Sequence, residues 1–315
     1  MTEPQVITSP IIVLTGPTAI GKTALSLKIV QEFNCEIISM DSMQVYRYMD
    51  IGTAKPTREE QALVPHHLID IVDPDDQYQA ARFVDDALLA IQEICWNERI
   101  PLLTGGTGLY LSALLNGLFK SVPVPRIMKE DLRERLEREG REELYRELCA
   151  VDPETASRVH VNDTHRLLRA LEVYHTTGVP WSAHLNRQAK LEKSVTFANM
   201  LQIGLACDRD LLYQHIEHRS YKMLETGLVQ EVQKLLEMGY GSDLNSMQSL
   251  GYRHVNNYLA GEWDMETTAK MLVRDTRRYA KRQMTWFFKN KDLAWFQRTE
   301  HDKVLSEITK LVKKQ

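Results

Sequence analysis

Lys22 and Asp41 are the residues from which a chemistry can be read. Lys22 lies in Gly16-Pro17-Thr18-Ala19-Ile20-Gly21-Lys22-Thr23, which fits the pattern G-x-x-x-x-G-K-[ST]. Glycines let the backbone turn tightly, so that successive N–H groups point inward at phosphate oxygens. A helix starting there offers unpaired donors and partial positive charge to the same anion. Lys22 adds a full charge, and the Thr23 hydroxyl is placed to ligate Mg²⁺. This predicts a loop for the diphosphate or triphosphate of a small molecule, without saying what carries it. Asp41 directly follows Glu36 to Met40 (EIISM), a run that reads as a strand. In open α/β sheets the active crevice lies at the carboxyl ends of the strands, which puts Asp41 beside the loop. There it either caps a turn or helix, or holds Mg²⁺ through water, or takes a proton from an acceptor.

Further residues invite weaker readings. Thr104-Gly105-Gly106-Thr107-Gly108 closes another apolar run. It is either a plain tight turn or a place where backbone approaches a ligand, with Thr107 as a donor. His66 and His67 are adjacent, so they do not converge on one ion from a regular element, and no metal is assigned to them. Lys270, Arg274, Arg277, Arg278, Lys281 and Arg282 recur at intervals of three and four and share one helix face. Within that run only Asp275 offsets the charge, while Leu272, Thr276, Tyr279, Gln283 and Trp286 form a face that can pack. The stripe is either a solvated face or a phosphate-contacting one. Arg133, Arg135, Arg138 and Arg141 alternate with glutamates and read as a solvated helix with i,i+4 pairs.

These residues need a scaffold. Ile11 to Thr15 (IIVLT) reads as a buried strand, Thr23 to Phe33 as a helix, Ala80 to Trp96 as another helix, and Ile100 to Thr104 (IPLLT) as a further strand. Strand, helix, strand, helix, strand predicts an α/β, P-loop NTPase-like parallel sheet flanked by helices. Composition shifts after Leu118, and Ser121 to Arg126 is a proline-rich break. From Ile127 to about Gln188 the pattern is helical and charged. Leu201 to Cys207 returns to strand, Asp208 to Gln283 is mostly helical, and Lys291 to Phe296 can add a late strand before a terminal helix. The expected division is therefore a core of residues 1–118 and 197–315, with an all-helical insertion domain at 119–196.

Bulk properties narrow the class. The chain has 315 residues, 43% hydrophobic and 26% charged, which suits a globular protein. No apolar run reaches the roughly 18 residues of a membrane span. Met1 to Pro10 lacks a basic region ahead of an apolar one, so a secretory signal is not expected and a cytoplasmic location is. Cys35, Cys95, Cys149 and Cys207 are far apart, giving neither a zinc ribbon nor a redox pair. A net charge of −4 provides no global attraction to nucleic acid, so such contacts must come from local patches. Nothing signals a dimer, and a monomer is expected.

Taken together these stretches resemble the bacterial-type tRNA dimethylallyltransferase (tRNA isopentenyltransferase) family. The matching segments are GPTAIGKT, Asp41-Ser42-Met43-Gln44-Val45-Tyr46, Asp50-Ile51-Gly52-Thr53-Ala54-Lys55-Pro56, Pro65-His66-His67-Leu68-Ile69-Asp70 and Gly105-Gly106-Thr107-Gly108-Leu109-Tyr110. They continue with Asn162-Asp163, Arg166 and Arg169, then Gly251-Tyr252-Arg253, and Ala280-Lys281-Arg282-Gln283 with Thr285-Trp286. They follow the family's order over nearly the whole chain. Ile20 departs from it, standing where the family usually has serine. The resemblance implies that the loop holds the diphosphate of dimethylallyl diphosphate rather than ATP. It implies that the acceptor is the exocyclic amine of the adenosine just 3′ of the tRNA anticodon. Asp41 would orient that amine and remove its proton. Lys22, Mg²⁺ at Thr23, Thr107 and Arg219 would stabilise the leaving diphosphate. The resemblance also implies tRNA contacts from Asp41, Ser42, Met43, Gln44, His165, Arg166, Arg169, Gly251, Tyr252, Arg253, Lys281 and Arg282. The insertion would clamp the anticodon arm, with the target base out of its stack. The competing readings are a P-loop kinase needing ATP and a prenyl transferase acting on free adenine nucleotides.

Overall fold

A computed structural model describes residues 5–117, 122–189 and 195–313. The expected insertion boundary at 119, Ser121 at the start of the proline-rich break, and the first residues of the N-terminal stretch lie outside the described residues. The chain forms two compact units, one within 5–116 and 195–315, the other within 117–194.

The larger unit holds the strands, β1 (Gln5–Ile7), β2 (Ile11–Thr15), β3 (Cys35–Met40), β4 (His66–His67), β5 (Ile100–Gly105), β6 (Val195–Phe197), β7 (Met200–Ala206) and β8 (Ala294–Gln297). Six form one parallel sheet in the order β4-β3-β5-β2-β7-β8, and β1 pairs with β6 in a second, two-stranded parallel sheet. Every residue of β2 and β3 is buried, as expected for parallel strands covered on both faces. β2 and β3 flank β5, so the loops leaving their carboxyl ends are two strand spacings apart, about 10 Å. Gly105 ends β5 between them. A Cβ there would stand 2.0 Å from the Met40 carbonyl oxygen, so only glycine lets β5 pass this close to the Asp41 turn. β4 and the β1–β6 pair have no counterpart in the sequence expectation. Two or three residues carry no readable period, and their pairing is set by distant partners.

Helices α1 (Lys22–Glu32), α2 (Arg58–Leu63), α3 (Ala80–Trp96) and α4 (Gly108–Asn116) accompany the first strands. The smaller unit carries α5 (Arg126–Glu139), α6 (Arg141–Val151), α7 (Pro153–Ala156), α8 (Thr164–Thr177) and α9 (Trp181–Ala189), and no strand among its described residues. Leu132, Leu144, Leu148, Leu167 and Leu171 form its core. Of the four arginines expected on a solvated helix with i,i+4 pairs, Arg135 alone makes one among the described residues, with Glu139 at 3.1 Å, and it also reaches Glu147 on α6 at 2.7 Å, so it ties two helices; Arg138 meets its neighbour Glu139 at 2.6 Å and Arg141 the Asn162 side chain at 2.7 Å. The larger unit resumes with α10 (Arg209–Glu225), α11 (Leu228–Glu237), α12 (Tyr252–Leu259), α13 (Met265–Phe287) and α14 (His301–Val312). α13 starts on Asp264, whose side chain accepts from the Thr267 amide, and buries Thr268, Leu272, Thr276, Ala280, Gln283 and Phe287 at helical spacing. No helix among the described residues is long and apolar enough to cross a membrane.

Candidate active site

The loop between β2 and α1 has the backbone its glycines anticipate. Gly21 caps α1 at φ 104° with no side-chain cap, leaving the helix's first amides open. Gly16 sits at φ 150°, where a Cβ would lie 2.9 Å from the Leu205 carbonyl oxygen. Ile20, the departure from the family pattern, is buried and packs its side chain beneath the loop, close to Gly16. The change therefore serves the hydrophobic core and leaves the loop's donors alone. The amides of Ala19, Ile20 and Gly21 have no acceptor among the described residues. Those are the donors a phosphate would use.

Three side chains shape the same loop. Lys22 Nζ donates to the carbonyls of Gly16 at 2.9 Å and Pro17 at 3.0 Å. Burial is the main influence on this amine. Asp41 nearby favours its charge and Arg219 opposes it, and the net effect brings the pKa down from 10.5 to about 8. Arg219, from α10, donates to the Thr18 hydroxyl, and burial likewise lowers its pKa, with Asp41 opposing. Gln283, buried on α13, accepts from the Thr18 amide at 2.9 Å and donates to the Gly106 carbonyl at 2.8 Å. One amide thus ties the phosphate loop to the glycine turn after β5.

A cavity of about 460 Å³ opens where these elements meet, and Lys22, Thr23, Ser39, Asp41, Thr104 and Arg219 all line it. Cation and carboxylate therefore face one space. Asp41 Oδ1 accepts from the Met43 amide at 2.9 Å, so the residue caps its own turn, while its other oxygen has no hydrogen-bond donor among the described residues. Thr107 accepts from the Ser42 amide at 3.1 Å, and its own amide donates to the Met40 carbonyl at 3.3 Å. Its hydroxyl also lies beside Tyr279, whose phenol burial and the Asp41 charge hold well above its usual pKa. Tyr279 and Gln283 do not line the cavity but brace Thr107 and Thr18 beside it, although their spacing suggested only a packing face.

The Asp50–Pro56 stretch forms another part of the wall, with Thr53, Ala54 and Pro56 lining the cavity. Gln44 accepts from the Ser39 hydroxyl at 3.0 Å and donates to the carbonyls of Thr53 and Ala54 at 3.4 and 3.2 Å, so its amide is engaged inside the protein. The Lys55 side chain is 2% exposed, and its amine meets Asp50 and Asp70 at 2.6 Å each.

Several expected RNA contacts have other uses here. Tyr252 is fully buried, with its hydroxyl 2.6 Å from Glu231, so it is a core anchor and not a surface contact. Gly251 is buried as well, at φ 92° against Gly52, and brings α12 onto the 50s loop. Arg253 pairs with Asp275 at 2.8 Å. His254, next to it, accepts from the Gly251 amide through Nδ1 and therefore carries its proton on Nε2, toward Asp275. On α13, Glu266 pairs with Lys270, Glu217 with Arg277, and Asp275 with Arg274 and Arg278. The stripe is thus neutralised by more than Asp275. Lys281 has no ion-pair partner among the described residues, and Arg282 lies over the Tyr279 ring at 5.8 Å. In the smaller unit His165 and Arg166 are exposed on α8, Arg166 3.0 Å from Asp163, whereas Arg169 is half-buried and reaches Glu172 at 3.3 Å and the Val122 carbonyl at 3.1 Å. His67 is 2.6 Å from Glu36, which also meets Arg99 at 2.9 Å, while His66 Nδ1 donates to the Val64 carbonyl.

The comparisons agree with this architecture. Residues 44–291 match the family model described as IPP transferase, and residues 9–69 match that described as isopentenyl transferase. A tRNA dimethylallyltransferase of Desulfotalea psychrophila is 52% identical over 302 residues, 96% of this chain and 95% of that protein. The crystal structure of a full-length tRNA isopentenylpyrophosphate transferase from Bacillus halodurans superposes with a TM-score of 0.70 at 38% identity, covering 97% of this chain and 96% of that one. A eukaryotic dimethylallyltransferase studied in the act of modifying tRNA gives a TM-score of 0.74 at 30% identity, over 93% of this chain and 75% of that one. With its phosphate loop, its carboxylate and nearly its full length accounted for, the chain belongs to the IPP transferase family, among the tRNA dimethylallyltransferases.

Proposed function

We propose that this enzyme moves a dimethylallyl group from dimethylallyl diphosphate to the exocyclic amine of the adenosine 3′ of the anticodon in tRNA, releasing diphosphate. The single observation that carries the reading is that Lys22 and Asp41 line one cavity. A leaving diphosphate needs cations and amide donors, and an acceptor amine needs a base, within one alkyl group of each other. The open amides of residues 19–21, Lys22 and Arg219 supply the first set. Asp41 supplies the second, its turn-capping oxygen fixing the carboxylate while the other faces the amine. That amine is a poor nucleophile because its lone pair is delocalised into the ring. Proton removal by Asp41 during bond formation therefore lowers the barrier. The allylic carbon tolerates positive charge, so stabilising the diphosphate is the larger task. Thr107, braced by Ser42 and Tyr279, adds a donor at the end of β5. The hydrophobic wall at Ile37, Leu27 and Ile69 keeps water from the donor's alkyl end.

The Thr23 hydroxyl suits Mg²⁺: it has no hydrogen-bond partner among the described residues and lines the cavity that Asp41 also lines. Mg²⁺ held there would neutralise diphosphate charge. Lys281 and Arg282 on α13, together with Arg166 and its neighbours in the smaller unit, are the tRNA contacts in this reading, with the enzyme a cytoplasmic monomer. Incubation with labelled dimethylallyl diphosphate or labelled ATP, each with tRNA, tests the assignment. Label from the allylic donor should enter tRNA; turnover of ATP with no prenyl transfer would instead indicate a kinase.

A further inference from the structure

Glu231 lies on α11 and does not itself line the cavity, yet its carboxylate is one of the most heavily hydrogen-bonded groups in the larger unit. Oε2 accepts from the amides of Asp50 at 2.9 Å and Ile51 at 2.7 Å. Oε1 accepts from the Gly52 amide at 3.1 Å and the Tyr252 hydroxyl at 2.6 Å. Three successive backbone N–H groups converging on one anion form a nest of the kind proteins use for phosphates. Here the anion belongs to the protein. The fit is tight, since a Cβ at Gly52 would lie 2.4 Å from the Tyr252 ring that closes the nest. Beyond the nest the loop runs on through Thr53, Ala54 and Pro56, which line the active cavity, and the carbonyls of Thr53 and Ala54 hold the amide of Gln44. Gln44 is three residues from Asp41 and accepts from Ser39, another lining residue. Contacts are therefore continuous from the Glu231 carboxylate to the segment that carries the carboxylate of the reaction.

We propose that Glu231 is a positioning residue for prenyl transfer: as an internal anion in the 50–52 nest it fixes the loop that walls the cavity and, through Gln44, the turn bearing Asp41. The inference rests on the transfer reading above. A carboxylate is required, because four donors meet two oxygens. A glutamine would turn an NH₂ group toward donors, and an alanine would leave three amides without an acceptor.

The test uses the full-length enzyme with dimethylallyl diphosphate and tRNA. Glu231→Ala should lower kcat roughly 10- to 100-fold, as expected when a catalytic group is misplaced, with little change in tRNA Kd. Sodium formate should restore at least several-fold of that loss by refilling the nest, whereas formamide, or sodium chloride at equal ionic strength, should restore none. Glu231→Gln, which leaves the space filled, should lose less activity and gain nothing from formate. An unchanged kcat in Glu231→Ala, or a deficit that formate lifts no better than chloride, would overturn the proposal. Wild-type enzyme is assayed alongside, and its failure to prenylate tRNA would refute the transfer reading instead. The nest is then read by melting: formate, but not formamide, should raise the Tm of Glu231→Ala and leave the wild type unmoved, and no such shift overturns the inference independently of activity.

Discussion

Lys22 and Asp41 face the same cavity with opposite charges, and each is held by bonds to its own loop. Asp41→Ala should therefore reduce kcat by about 10²- to 10⁴-fold, the usual contribution of a general base, while the Kd for tRNA stays close to wild type; steady-state kinetics with a filter-binding assay measure both. Lys22 makes a pH prediction. With its pKa brought down to about 8, it is charged below that pH and neutral above it. The KM for dimethylallyl diphosphate should therefore rise as pH passes about 8, and Lys22→Arg should abolish that limb whatever it does to kcat. The stability sign follows from the same shift. Between about 8 and 10.5 the unfolded chain keeps a proton the folded chain has released, so folding stability gains with pH across that window. The sequence made these two residues legible because motif spacing and strand ends fix backbone position. It did not reveal Tyr279 beside Thr107, Gln283 on the phosphate loop or Glu231 under the amides of residues 50–52. Each acts through a contact with a residue more than 150 positions away or on another helix, and no local pattern encodes that.

At the scale of elements, α13 does two jobs on two faces. Its buried face clamps the phosphate loop to the β5 turn through Gln283. Gln283→Leu leaves the part-buried Thr18 amide and the buried Gly106 carbonyl without their side-chain partner, which should cost about 1–3 kcal/mol of stability, mostly from the carbonyl, and raise the donor KM; urea unfolding and kinetics measure the two effects. The opposite face bears the basic stripe. Lys281→Ala should weaken tRNA binding and flatten the plot of log K against log salt by about one counterion. Arg277→Ala should do less, because Glu217 already neutralises Arg277. An equal salt slope for Lys281→Ala and wild type would return the stripe to a solvated face. Helical period revealed which residues share that face, but not which charges are already spent, since Glu217 comes from α10. Tyr252 shows the same limit in reverse. The family resemblance implied a tRNA contact there, whereas packing against Gly52 and a hydrogen bond to Glu231 bury it.

At the scale of the molecule, a parallel sheet brings the carboxyl ends of β2, β3 and β5 to one edge, and the candidate cavity opens there. This much was readable because continuous apolar runs ended by glycine or by Asp41 mark buried parallel strands. The smaller unit within 117–194 carries helices and no strand among its described residues; charge and the lack of a strand pattern are what raised the expectation of a helical insertion at 119–196. In the proposed function the phosphate loop serves an allylic donor whose alkyl group ends on tRNA. Mass spectrometry of tRNA after reaction with the enzyme and dimethylallyl diphosphate tests it most directly. A fragment around the adenosine 3′ of the anticodon should gain one dimethylallyl group in place of a hydrogen, and should gain none with Asp41→Ala. Unmodified tRNA from the wild-type enzyme, accompanied by hydrolysis of ATP, would contradict it.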